Sequence, residues 1–126
     1  MGYSKLLEKS EENEKAAEIL AQNRLYNAAT NRAYYFLYQK ILYIVGEVEA
    51  GKSSHVKTIN TLGKILQGQE KDIVRDINFI KQKRHESDYY AINPFRNPAV
   101  YREQILPKTI AVKRVLNSYI EKKDGV

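Results

Sequence analysis

LYNAATNRAYYFLYQKILYIVGEV, residues 25–48, is the stretch that decides the architecture. From Ala33 to Val45 it is apolar or aromatic around most of a helical circumference, and a helix of that kind must be covered on several sides. Ala29, Ala33, Leu37, Ile41 and Ile44 recur at helical spacing and form one stripe, which Tyr34, Tyr35, Tyr38 and Tyr43 widen. Tyrosine joins a large apolar body to a hydroxyl that wants a partner, so such a helix suits a subunit interface or a cleft wall as well as a core.

The cover has to come from the flanks. Residues 4–22 read as a first helix, with Leu6, Asn13, Ala17, Leu20 and Arg24 at helical spacing and glutamates crowding the early turns. Its apolar stripe is narrow, which places it on the outside of a bundle with one edge on the core. Gly46 to Ser54 reads as a loop, with Ser53 or Ser54 capping a third helix over 55–66. Val56, Ile59, Leu62 and Leu66 should point inward there, and His55 is expected at the surface. Gly46 and Gly51-Lys52-Ser53 have the spacing of a phosphate-binding loop, but they follow a helix where that motif requires a strand.

Gly68 ends the third helix and a fourth begins near Glu70. Pro94 should stop it at about Tyr90 or Ala91, since the residue before a proline leaves the α region. Asn93 to Pro98 reads as a turn, with Asn97 as cap and Pro98 at the first helical position. The last helix, 98–122, carries Ile105, Val112, Leu116 and Tyr119 inward, and Pro107 should kink or split it. The pattern predicts an all-α, up-and-down bundle of four to five helices, kinked near Pro107, forming a single domain over residues 1–126.

The fourth helix carries an anomaly. Ile73, Ile77 and Ile80 share one side, and Arg84 projects into the middle of the same stripe. A guanidinium stays charged and is costly to bury unpaired. Asp88 one turn on, a tyrosine hydroxyl, a second subunit or a ligand phosphate must therefore meet it.

Composition narrows the chemistry. The 126 residues contain no cysteine, which removes disulfides, thiolate metal sites and thiol nucleophiles, and the two histidines, His55 and His85, argue against a protein-only zinc site. Neither a metal nor a cofactor is called for. No apolar run approaches the roughly 20 residues that span a bilayer, and the charged N-terminus lacks a signal-peptide core, so a cytoplasmic protein without a membrane segment is expected. The net charge of +6 is concentrated in the C-terminal half, a balance that fits RNA or DNA phosphates.

Three motifs in order, Asn31-Arg32-Ala33-Tyr34-Tyr35-Phe36, Ser54-His55 and Arg84-His85-Glu86-Ser87-Asp88-Tyr89, resemble the HEPN superfamily, in particular its small stand-alone members with an "Arg-x-x-Ala-Asp-Tyr" ending. The resemblance covers about residues 5–122. It implies a bundle of four or five helices, frequent homodimers and, in many members, a metal-independent ribonuclease in which Arg and a His a turn or so later share a cleft between two protomers. Histidine would handle protons near neutral pH, and arginine would face the charge that develops on the phosphorane. Here Arg84 matches, but Tyr89 stands where the histidine belongs. A phenol, ordinarily titrating near about 10, is a poor base at neutral pH. His85 is adjacent to Arg84, about 100° around the helix, and should face elsewhere.

Two functions are compatible with that resemblance. In one, the protein is a toxin-like RNA or nucleotide binder with ribonuclease activity, as in toxin–antitoxin pairs. Arg84, His85 and Tyr89 would then be catalytic, and Asn31, Arg32, Tyr35 and Asp88 would meet the substrate. In the other, a non-catalytic HEPN module dimerises and binds a protein partner such as a minimal nucleotidyltransferase, and Arg84 and Asp88 form a structural pair.

Overall fold

The computed structural model describes residues 2–46, 54–66, 71–89 and 98–124. Helix α1 (Gly2–Gln22) turns into α2 (Tyr26–Val45), followed by α3 (Ser54–Leu66) and α4 (Lys71–Tyr89). The chain ends in a continuous helical rod made of α5 (Pro98–Val100), a π-helical turn (Tyr101–Ile105) and α6 (Leu106–Lys123). The described residues contain no strand, so the expected all-α bundle is what forms. Among them no helix is long and apolar enough to cross a membrane. The expectations for Val48, Gly51-Lys52-Ser53, Gly68, Tyr90, Ala91 and the turn from Asn93 to Asn97 lie outside the described residues.

Helix α2 is the axis. Ala29, Ala33, Leu37, Ile41 and Ile44 are all buried, as are Tyr34, Phe36 and Tyr38. Ile59 and Leu62 from α3, Ile73, Ile77 and Ile80 from α4, and Val112, Leu116 and Ile120 from α6 close over it. At roughly 25 cal/mol per Å² of apolar surface, this shared cluster supplies most of the driving force. Tyr119 is only partly buried, and the neighbouring Ile120 completes the α6 stripe in its place.

Three local expectations need correction. Val56 is 46 % exposed, because the inward line of α3 runs through His55, Ile59 and Leu62 instead. Arg24 does not continue the α1 stripe but leaves the helix with φ 61°. There the amides of Arg24 and Leu25 bond back to the carbonyls of Ala21 and Leu20, at 3.0 and 2.8 Å, the two bonds of a Schellman turn. Finally, α1 is more than an outer cover: its fully buried Ser10 donates to the carbonyl of Phe36 at 2.8 Å, which fixes α1 against α2.

In the C-terminal rod, the amide of Leu106 bonds to the carbonyl of Tyr101, the wider π spacing. Pro107 follows at once. Its ring cannot donate and would crowd the carbonyl four residues back, and one wider turn relieves that crowding.

Candidate functional site

Arg84 takes the place its spacing gave it. Its side chain is 14 % exposed, one turn beyond the fully buried Ile80. The guanidinium lies over the ring of Tyr34, 5.1 Å from the centroid, and beside that of Tyr35 at 5.7 Å. Aromatic faces therefore hold the cation. Its ion pair, from an Nη to Asp88 Oδ2, is long at 3.4 Å, and Nε is buried with no hydrogen-bond partner among the described residues.

Asp88 Oδ2 also accepts from Asn31 Nδ2 at 3.0 Å. Asn31 Oδ1 in turn accepts from Arg32 Nε at 2.8 Å, and Arg32 reaches Asn13 Oδ1 at 3.0 Å. Asn13 continues to Gln39 Oε1 at 2.8 Å, so a polar chain ties α1, α2 and α4 together around Arg84. Arg32 packs on Tyr35 from 5.5 Å, which puts two cations on one aromatic ring. The expected set Asn31, Arg32, Tyr35, Arg84 and Asp88 thus forms one cluster. The side chain of Tyr89 lies outside the described residues.

Two open pockets flank this cluster. One, of about 380 Å³, is lined by Asn78, Lys81, Gln82, Arg84 and His85. Arg84 and His85 therefore border the same pocket, although they were expected to face apart. The other, of about 490 Å³, lies beside Asn27, Asn31, Arg32, Ser87 and Asp88. Among the described residues no three His, Asp or Glu side chains converge as metal ligands would.

His55 was expected at the surface, and the structure places it inside the cluster. It stacks flat on Tyr38, with centroids 4.0 Å apart and planes 7° apart, and its Nδ1 lies 2.7 Å from the hydroxyl of Tyr34. Thr58, which bonds back to the Ser54 carbonyl at 2.7 Å, fixes the turn that carries it. Burial, and then the nearby Arg84 and Lys81, pull its pKa below the ordinary histidine value. Burial pushes the Tyr34 hydroxyl well above the ordinary phenol value, with Tyr38 adding to the shift and Arg84 opposing it, so Tyr34 stays protonated.

A signal for His55 was present in the sequence. It stands four residues before Ile59 and seven before Leu62, on their stripe, just as Arg84 stands on the stripe of Ile77 and Ile80.

With the bundle and this cluster in place, the HEPN domain family model matches residues 3–123, nearly the whole chain. The chain belongs to the HEPN family. No curated protein and no solved structure matches it. In this HEPN domain the inward arginine comes from the end of α4, its aromatic bed from the middle of α2, and a histidine from the start of α3.

Proposed function

We propose that the chain is a single, cytoplasmic HEPN module, homodimeric in use, that binds RNA through its phosphates at the Arg84 pocket and cleaves it without a metal. The observation that carries this reading is the state of Arg84. A guanidinium held by tyrosine faces and one long contact keeps most of its hydrogen-bonding capacity for an anion. The pocket it borders is lined, among the described residues, by cations and amides and no carboxylate, a composition that suits phosphate. In this reading Arg84 and Lys81 hold phosphate, and His85 or Tyr89 handles protons. Asn31, Arg32, Tyr35 and Asp88 meet the nucleotide from the other side.

A mixed RNA pool incubated with purified protein tests this, with wild type beside Arg84→Ala and His85→Ala. The wild type should bind and cleave, and Arg84→Ala should lose both. Cleavage that is absent, or indifferent to both substitutions, would reject the reading. Arg84→Met serves as the stability control: an apolar chain on the same tyrosine faces should keep the melting temperature while losing RNA.

A second reading has its own observation. The groove between α1 and α6, about 310 Å³, is floored by Ala17, Ala33 and Phe36 and edged by the exposed Leu106 and Ile110. Such a surface suits a non-catalytic module that docks a protein partner, for example a minimal nucleotidyltransferase. RNA-indifferent behaviour combined with partner capture lost in Ile110→Glu would favour it.

A further inference from the structure

The two helices whose inward stripes end in a polar residue meet on one side chain. Tyr34, almost fully buried, offers its ring face to the Arg84 guanidinium at 5.1 Å and its hydroxyl to His55 Nδ1 at 2.7 Å. The flat stack on Tyr38 fixes the imidazole plane, and Tyr35 meets its edge at 6.2 Å. A hydroxyl can donate or accept, so Tyr34 can serve either tautomer of His55. Nε2, on the opposite edge of the ring, is then able to present a lone pair or an N–H.

Among the described residues, the titratable and charged groups around His55 are Tyr34, Tyr35 and Tyr38 from α2 and Lys81 and Arg84 from α4. Burial and the two cations keep the ring neutral at neutral pH, the form a base requires. His85, by contrast, is exposed.

We propose that His55, rather than His85 or Tyr89, is the proton-transferring residue of the RNA cleavage put forward above, with Tyr34 as its positioning residue. The inference rests on the RNA cleavage of that reading and replaces its proton carrier, His85 or Tyr89, with His55. In the tautomer whose Nδ1–H donates to the Tyr34 hydroxyl, Nε2 takes the proton of a ribose 2′-hydroxyl, and the freed oxygen forms a bond to the adjacent phosphorus. The bond from phosphorus to the 5′-oxygen breaks, and the imidazolium returns the proton to that oxygen through a water. The products are a 2′,3′-cyclic phosphate and a 5′-hydroxyl, and no oxidant, metal or co-reactant is consumed. Arg84 faces the negative charge that grows on the non-bridging oxygens.

The test is the pH dependence of cleavage of a short single-stranded RNA by the full chain, comparing wild type with His55→Gln, His85→Gln and Tyr34→Phe. His55→Gln should lower kcat about a hundredfold, leave RNA affinity within about twofold, and abolish the acid limb of the profile. His85→Gln should raise KM and keep the acid limb. Tyr34→Phe keeps the ring stack and removes only the hydroxyl, so it remains informative if His55→Gln unfolds. It should lower kcat severalfold and move the midpoint of the acid limb. A cleaving wild type whose His55→Gln or Tyr34→Phe variant retains both rate and profile overturns this inference and leaves the RNA reading standing. A wild type that binds and cleaves no RNA overturns both.

Discussion

Arg84 and His55 show how one tyrosine can set the chemistry of two neighbours. The Tyr34 face accepts the guanidinium and its hydroxyl engages the imidazole, so neither group can shift without the other feeling it. A consequence appears in stability. The folded-state pKa of His55 lies below its unfolded value of about 6.5, so the unfolded chain binds more protons as the pH drops. Stability from this residue is fully present above about pH 6.5, and it is lost as the pH falls through that value toward the folded-state pKa. Urea midpoints between pH 7.5 and 5 should decline for the wild type and flatten in His55→Gln. A decline equally steep in both would show that another group controls it.

Among the elements, the α1–α2 hairpin carries the clearest local strain. Arg24 occupies the left-handed position of its Schellman turn, φ 61°, where an L side chain crowds the backbone and glycine does not. Arg24 is exposed, and among the described residues its side chain makes no hydrogen bond or ion pair. Arg24→Gly should therefore stabilise the fold by about 0.5–1 kcal/mol, read as a higher denaturation midpoint at unchanged slope. A lower midpoint would mean that the arginine contributes something the turn geometry does not express. The π-helical turn before Pro107 is the other departure from regular helix. It brings Tyr101 and Leu106 to the α1–α6 groove, so the proline shapes a surface as well as a rod.

For the molecule as a whole, the relevant quantity is where the charge lies. A net +6 is modest, and among the described residues some of the basic side chains are already paired: Lys113 with Glu14 at 2.5 Å and Arg75 with Asp72 at 3.2 Å are examples. Lys81 and Arg84 share one pocket, which makes that face the one expected to displace counterions from RNA. The logarithm of RNA affinity should fall linearly with the logarithm of salt concentration, and Lys81→Gln should reduce the slope by about one. An unchanged slope would move the phosphate contact elsewhere.

The periodicity of apolar residues alone determined the bundle, the central place of α2 and the inward aim of Arg84, because helical spacing dictates which residues share a face. The same arithmetic applied to His55, yet the first turn of a helix carries too few residues to announce a stripe, and Val56 competed for the inward position. Only the tertiary structure decided that Arg84 rests on two aromatic faces instead of closing fully on Asp88. It alone brought Arg84 and His85 to one pocket, and it alone made His55 a neighbour of Arg84. Those pairings depend on how three helices cross, and the order of residues along one helix carries no information about what the next one sets against it.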